Sequence, residues 1–303
     1  MKMRALGRTG IQIAPIVLGG NVFGWTADEK TSFAVLDSFA EAGCNAVDTV
    51  DVYSSWDPGN KGGESETIIG KWMKARGNRN QMVVITKVGS DMGGGRKGLG
   101  AAYIEKAVDA SLQRLGIETI DLYLSHWPDA ATPYAETLGA YEKLLQKGKV
   151  RAVGASNLDA NQLREALTIA RERKLPRYAV LQPEYNLYDR SGFEGALQDL
   201  CIKEEIGVIT YFGLAKGFLT GKYREKSDLA QSQRGEDVAD YMNPRGMQIL
   251  EALDQVAKRH NARSAEVALA WVMAQPGVTA PIASATSVEQ VRSLIRAASL
   301  NLE

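Results

Sequence analysis

Eight short apolar runs, each followed by a longer amphipathic stretch, divide most of this 303-residue chain into similar units. Such alternation is typical of parallel strands joined by crossover helices, because a parallel neighbour is reached only through a long connection. Eight units favour a closed (β/α)8 TIM barrel over an open doubly wound sheet. The expected strands are residues 16–20, 45–49, 82–88, 120–126, 150–155, 178–183, 207–212 and 279–284.

The stretches between the strands show helical periodicity. Residues 3–13 precede the first unit and predict a small hairpin that can close one end of the barrel. The polar stretch 222–245 is too long for a plain connection and predicts a lid or a partly mobile insertion. No domain boundary is visible, so we expect one domain over residues 1–303. The expected helices are 31–42, 64–76, 102–115, 134–147, 159–173, 193–204, 246–260, 264–275 and 287–298.

Composition excludes several classes of partner. The 36 basic and 36 acidic residues balance, so nothing favours nucleic acid or an anionic membrane. There is no apolar run of membrane-spanning length and no secretory signal, and Cys44 and Cys201 lack metal-binding or redox spacing. With only His126 and His260 in the chain, we expect no histidine-based metal site. We expect a cytoplasmic protein, and the sequence does not indicate its oligomeric state.

Polar side chains end three consecutive expected strands. Asp48 ends the second strand and Tyr53 follows it closely, while Lys87 and His126 end the third and the fourth. In such barrels, catalytic groups gather where the carboxyl ends of the strands meet. Any one of these residues alone is more often structural, and Asp48–Lys87 alone fits a structural ion pair. The combination favours a catalytic site.

These four side chains suit the protonation of a carbonyl oxygen. A tyrosine has a pKa of about 10 and is a poor acid at neutral pH, but a nearby ammonium ion stabilises its phenolate. Lys87 supplies that charge, and Asp48 can hold Lys87 in place. His126 can donate a hydrogen bond to the carbonyl oxygen. Together the groups can polarise a carbonyl and protonate it as a hydride reaches the carbon.

The chain resembles the aldo-keto reductase superfamily over nearly its whole length. The matching motifs stand in the family's order: GRTGIQIAPIVLGG near the start, DTVDVY at 48–53, ITK at 85–87, DLYLSHWPD at 121–129, ETLGAYEKLLQKGKVRAVGASN at 136–157, QPEYNL at 182–187 and GFLTGKY at 217–223. The resemblance implies an NAD(P)(H)-dependent oxidoreductase with the tetrad Asp48, Tyr53, Lys87 and His126. Tyr53 is then the general acid, and the histidine at 126 favours carbonyl reduction.

The same resemblance implies the cofactor contacts. Ser156, Asn157 and Gln182 would hold the nicotinamide carboxamide, and Tyr211 would stack on its ring. NADP(H) is favoured, because the family usually prefers it. NAD(H) is the alternative, because the arginine that family members often carry for the 2′-phosphate is absent. Arg292 or Lys216 can substitute for that arginine. The remaining expected contacts are Phe212, Gly213, Leu214, Lys216 and Gly217 near the pyrophosphate, and Ser284, Thr286, Gln290 and Arg292 near the 2′-phosphate.

One glycine-rich segment matches the G-x-G-x-x-G sequence pattern of a dinucleotide-binding turn. GGGRKG at 93–98 does not follow its strand directly, as such a turn should, so we predict a flexible loop beside the cleft.

Four aromatic residues follow the first, second and fourth strands: Phe23, Trp25, Trp56 and Trp127. They can line a substrate pocket for a hydrophobic or ring-containing carbonyl. Packing of the loops onto the barrel explains them equally well.

Three functions stay open at this point. The leading one is NAD(P)H-dependent reduction of an aldehyde or a ketone. The same residues can run the reaction backwards, as an alcohol or sugar dehydrogenase. The third is a non-catalytic, nucleotide-sensing or channel-associated subunit, which would bind the nucleotide tightly without consuming it.

Overall fold

Eight parallel strands close into a barrel in the computed structural model, which describes residues 1–231 and 235–302. The order around the barrel follows the sequence from β3 to β10, and β10 pairs with β3 to close it. The expected (β/α)8 TIM barrel is therefore confirmed. The strands are β1 (Arg4–Ala5), β2 (Gln12–Ile13), β3 (Val17–Gly19), β4 (Ala46–Asp48), β5 (Val83–Val88), β6 (Ile120–Ser125), β7 (Val150–Ser156), β8 (Val180–Gln182), β9 (Gly207–Thr210) and β10 (Ala280–Ala283).

The helices lie close to their expected positions and differ mainly at their ends. The helix expected at 246 begins at Pro244, because Asn243 caps it by accepting from the backbone N–H of Gly246. The helix expected at 193 begins at Ala196, after Gly195 with φ 84°. The helices are α1 (Glu29–Glu41), α2 (Glu64–Arg76), α3 (Ala101–Leu115), α4 (Tyr134–Gln146), α5 (Ala160–Arg173), α6 (Ala196–Lys203), α7 (Gly235–Val238), α8 (Pro244–His260), α9 (Ser264–Ala274) and α10 (Val288–Ala297).

The N-terminal hairpin closes one end of the barrel, as expected. Strands β1 and β2 pair antiparallel, and Leu6, Ile11 and Ile13 pack among the side chains inside the barrel. Gly7, at the turn, lies so close to the start of β9 that a Cβ there would be 2.5 Å from the nitrogen of Gly207. The hairpin therefore covers the amino-terminal ends of the strands and leaves the carboxyl ends open for a site.

The two-residue period of the strands decides which side chains face the barrel interior. In β5, Val83 and Ile85 belong to the inner apolar cluster, so Lys87 continues the inward series. Thr86 lies on the other face and bonds Glu66 of α2. By the same alternation Asp48 follows Ala46. The inward-facing positions thus turn from apolar to polar at the carboxyl end of the barrel.

The described parts of the polar segment 222–245, residues 222–231 and 235–245, contribute to a small satellite of the core. Tyr223, Val238 and Tyr241 are buried in a cluster with Phe218 and Leu250. Residues 232–234 of this segment lie outside the described part, so the lid remains a prediction. Among the described residues, no helix is both long and apolar enough to cross a membrane.

Candidate active site

A buried ion pair occupies the centre of the open barrel end. Nζ of Lys87 donates to Oδ1 of Asp48 over 2.7 Å and to the carbonyl oxygen of Thr49 over 2.8 Å. Lys87 has no exposed surface, and Asp48 is 1% exposed. Oδ2 of Asp48 accepts from Nε2 of Gln182 over 2.8 Å. Both charges are therefore paired and hydrogen-bonded, which burial of ions requires.

Tyr53 lies beside this pair. Nζ of Lys87 is 5.3 Å from the centre of the Tyr53 ring, within cation–π range. The ring makes an edge contact with Trp56, with centroids 6.1 Å apart. The next residue, Ser54, has φ 71° and donates its hydroxyl to the carbonyl oxygen of Phe23. This tight turn brings the tyrosine back over the strand ends.

His126 is held on several sides. Its Nδ1 lies 2.6 Å from the hydroxyl oxygen of Ser90, and its ring stacks on Trp127 with centroids 5.2 Å apart. Its backbone carbonyl accepts from Nδ2 of Asn157. Burial, together with the charge of Lys87, lowers the pKa of His126 from 6.5 to about 3. The imidazole is therefore neutral at physiological pH.

A chain of hydrogen bonds joins the expected nicotinamide contacts to the ion pair. Tyr211 donates its hydroxyl to Oδ1 of Asn157 over 2.7 Å, and Nδ2 of Asn157 donates to the hydroxyl oxygen of Ser156. Ser156 donates to the carbonyl oxygen of Gln182, whose side-chain amide reaches Asp48. Asn157 has φ 61°, a left-handed conformation that asparagine tolerates. The structure thus places Ser156, Asn157, Gln182 and Tyr211 in one network with Asp48 and Lys87.

The segment after β9 has an unusual backbone. Phe212, Ala215 and Lys216 have φ of 54°, 47° and 56°, and Gly217 has φ 106°. Nδ2 of Asn186, a fully buried side chain, donates to the carbonyl oxygen of Phe212 and helps to hold this shape. Non-glycine residues in the left-handed region cluster at binding sites, where the surrounding structure maintains them. Gly213 and Leu214 lie inside the same turn.

The loop after β10 leads into α10. The hydroxyl of Ser284 donates to Oδ1 of Asn21, and Ser287 caps the helix. Oε1 of Gln290 accepts from the backbone nitrogen of Thr286 over 2.8 Å and lies 3.2 Å from its hydroxyl oxygen. Gln290 therefore shapes this loop.

Two charges flank the start of α10. Arg292 is exposed, with no ion pair among the described residues, whereas Glu289 pairs with Arg263 over 2.7 Å.

Three of the four expected pocket aromatics keep exposed surface. Trp56 and Trp127 are about half exposed, and Trp25 makes an edge contact with Trp56 at 5.5 Å between centroids. Phe23 has no exposed surface and belongs to the main core. The expectation that Phe23 lines the pocket is therefore wrong, because its ring packs against Gly20 within the main core.

The glycine-rich loop at 93–98 opens no helix directly. Gly93, Gly94, Gly95 and Gly98 all have positive φ, and the following helix starts only at Ala101. The loop does not have the strand-to-helix arrangement of a dinucleotide-binding turn.

Asp51 is a buried acid next to the expected tetrad in sequence, and sequence reasoning did not single it out. It is 3% exposed, and its Oδ1 has no hydrogen-bond partner within the described structure. Burial and the nearby carboxylate of Glu66 raise the pKa of Asp51 to about 7, against the opposing charge of Arg114. Its position in the DTVDVY motif, between Asp48 and Tyr53, is the sequence feature that could have drawn attention to it.

The geometry suits acid–base chemistry on a bound carbonyl or alcohol. A tyrosine lies beside a buried ammonium, and a neutral imidazole stands nearby on a fixed frame. Across residues 1–231 and 235–302, no three histidine, cysteine or carboxylate side chains are arranged to hold a metal ion.

Comparisons with known proteins point to one family. The sequence model of the Aldo/keto reductase family matches residues 15–303. The chain is 34% identical to an uncharacterized oxidoreductase, YrpG, of Bacillus subtilis, over all of this chain and 93% of that protein. It is 32% identical to the NADH-specific methylglyoxal reductase of Escherichia coli, over all of this chain and 95% of that protein. It is 31% identical to a probable voltage-gated potassium channel subunit beta of rice, over 96% of this chain and 89% of that protein.

The ionisation of Asp51 should make stability fall with rising pH. Its pKa is about 7 in the folded protein against 3.8 for the unperturbed group, so the folded state binds the proton more tightly. This contribution is complete below about pH 4 and is lost as the pH rises through about 7. Asp51→Asn should therefore stabilise the protein at about pH 8 by roughly 2–4 kcal/mol and have a smaller effect at about pH 5.

Urea unfolding of both proteins at the two pH values measures this difference. Asp57→Asn, on the same loop but only half buried, is the matched control. An equal effect of Asp51→Asn at both pH values would contradict the account.

Proposed function

The chain belongs to the aldo/keto reductase family, and we propose that it reduces an aldehyde or a ketone to the alcohol with a nicotinamide nucleotide. The observation that supports the proposal most strongly is the buried ammonium of Lys87, paired with Asp48 and lying 5.3 Å from the ring of Tyr53. A buried cation beside a phenol favours loss of the phenolic proton.

In this proposal Tyr53 is the general acid. The charge of Lys87 stabilises the phenolate that remains when the proton moves to the substrate oxygen. Asp48 holds Lys87 in position and compensates its charge, so that the ammonium can stay buried. The bound nicotinamide would supply the hydride.

His126 orients the substrate. Since its pKa is lowered to about 3, it acts as a neutral hydrogen-bond donor and does not compete with Tyr53 as the acid. A donor fixed by Ser90, Trp127 and Asn157 can stabilise the developing negative charge on the carbonyl oxygen without reorganising.

The residues around Tyr211 fit a nicotinamide. The Tyr211 ring is partly exposed, and its hydroxyl is fixed by Asn157, which leaves a rigid aromatic face toward the cleft. Ser156, Asn157 and Gln182 would bind the carboxamide. The turn of Phe212, Gly213, Leu214, Lys216 and Gly217 would approach the pyrophosphate, while Ser284, Thr286, Gln290 and Arg292 would lie near the adenosine end.

The proposed substrate carries a hydrophobic or ring-shaped group. Trp56 contacts both Tyr53 and Trp25, Trp127 stacks on His126, and Trp56 and Trp127 are about half exposed. Large exposed aromatic rings around a polar centre are typical of pockets that bury the apolar part of a ligand.

Two other functions compete with reduction. One similar protein is named as a channel subunit, but the packed and fully paired Lys87–Asp48 centre favours an enzyme. The dehydrogenase direction uses the same residues and depends on cellular nucleotide ratios.

Both cysteines are buried and unpaired, which supports a location in the reducing cytoplasm.

Nucleotide consumption with a panel of carbonyls tests the proposal. The wild-type protein should consume NADPH, with kcat/KM higher for aromatic or alicyclic carbonyls than for a triose. Tyr53→Phe should lower kcat by about 10²–10⁴-fold with nearly unchanged nucleotide affinity, because only the acid is removed. Tight nucleotide binding without turnover of any carbonyl would instead favour a sensor. A Tyr53→Phe variant that keeps more than about a third of kcat, with chemistry rate-limiting, would contradict the role of Tyr53.

We propose a soft preference for NADPH. Arg292 is exposed near the start of α10 and can meet a 2′-phosphate, whereas Glu289 of the first turn repels one. The preference should be about ten-fold, or about 1.4 kcal/mol, which a single exposed cationic contact can supply. The similar methylglyoxal reductase is NADH-specific, so both choices occur among relatives.

The kcat/KM ratio for NADPH over NADH measures this preference. Arg292→Ala should remove most of it, and Glu289→Gln should increase it, because each changes the charge near the phosphate. Arg173→Ala, an exposed arginine at the end of α5, is the matched control and should leave the ratio unchanged. An unchanged ratio in Arg292→Ala would show that Arg292 does not bind the 2′-phosphate. A wild-type preference for NADH would overturn the cofactor proposal.

A further inference from the structure

Ser90 contacts His126 of the tetrad, but it lies outside the family motifs that contain the tetrad residues. Strand β5 ends at Val88, and Gly89 then adopts φ 117°, a conformation open only to glycine in practice. This turn brings Ser90 back across the barrel end to His126, where its hydroxyl oxygen lies 2.6 Å from Nδ1. Ser90 is 8% exposed, so the contact is nearly shielded from water.

The direction of this hydrogen bond decides what His126 can do. In a neutral imidazole one ring nitrogen carries the proton and the other accepts. If Ser90 donates to Nδ1, the proton is on Nε2. If Nδ1 donates to Ser90, Nε2 is bare and can only accept, so it cannot stabilise negative charge on a substrate oxygen.

The surroundings favour donation by Ser90. Within the described structure its hydroxyl has no other hydrogen-bonding partner, so the reverse arrangement would leave the hydroxyl proton without a protein acceptor. Donation to Nδ1 satisfies the hydroxyl proton and the ring lone pair with one bond. Stacking on Trp127 keeps the ring in the plane that this bond requires.

We propose that Ser90 is a positioning residue that donates its hydroxyl proton to Nδ1 of His126 and so keeps the Nε2 proton available to the substrate oxygen. The catalytic consequence rests on the proposed function; the tautomer does not. Ser90 thereby performs for this histidine the orienting role that hydrogen-bond partners commonly perform for imidazoles in proteins.

Nitrogen NMR of the imidazole side chains tests the tautomer directly. The chain has only two histidines, so a His260→Gln variant assigns the spectrum. In the wild-type protein, His126 should show a protonated Nε2 and an accepting Nδ1 near neutral pH. In Ser90→Ala it should shift toward a mixture of tautomers, with kcat lowered about five- to ten-fold, as loss of one orienting hydrogen bond implies.

Ser32→Ala is the matched control, because Ser32 is a buried serine of α1 that donates to the carbonyl oxygen of Ala27, outside the cleft. It should leave the His126 signals and kcat unchanged. A wild-type His126 protonated at Nδ1, or a Ser90→Ala variant with wild-type spectrum and kcat, would overturn the proposal. The NMR result is independent of turnover, so a wild-type protein that reduces no carbonyl would count against the proposed function alone.

Discussion

The ion pair between Lys87 and Asp48 is the constraint on which the rest of the site depends. Two opposite charges with almost no exposure are costly to remove from water, and they are tolerated only when every polar atom is compensated. Here the compensation comes from the carbonyl of Thr49 and the amide of Gln182. An apolar pair of similar volume would often serve stability as well, so stability alone does not account for the charges, and we propose that they serve the chemistry.

The compensation also ties distant parts of the chain together. Gln182, at the end of β8, reaches Asp48, at the end of β4, on the opposite side of the barrel. The backbone carbonyl of the same residue accepts from Ser156, and the hydrogen-bond chain continues through Asn157 to Tyr211. The groups proposed to hold the nicotinamide and the groups proposed to move the proton therefore form one frame. Displacement of one member would be transmitted to the others.

Much of this arrangement could be predicted from the sequence, because strand periodicity fixes it. Once β5 is placed, alternation turns Lys87 inward, and the parallel barrel gathers Asp48 and His126 at the same end. Contacts set by loops could not be predicted. The burial of Phe23 and the approach of Ser90 to His126 depend on turns at positive-φ residues, such as Ser54 and Gly89, whose paths a local pattern does not reveal. The pKa of Asp51 likewise depends on Glu66 and Arg114, which arrive from helices α2 and α3.

The central claim is that Lys87 acts through Tyr53, and a double-mutant cycle on kcat tests it most directly. Lys87→Met and Tyr53→Phe are compared singly and together, with nucleotide binding measured for each variant. If the ammonium serves to stabilise the phenolate, removing it should matter little once the phenol is gone. The account therefore predicts that the double variant is about as slow as Tyr53→Phe alone. Effects that multiply fully would show that Lys87 and Tyr53 act independently, and would contradict the account.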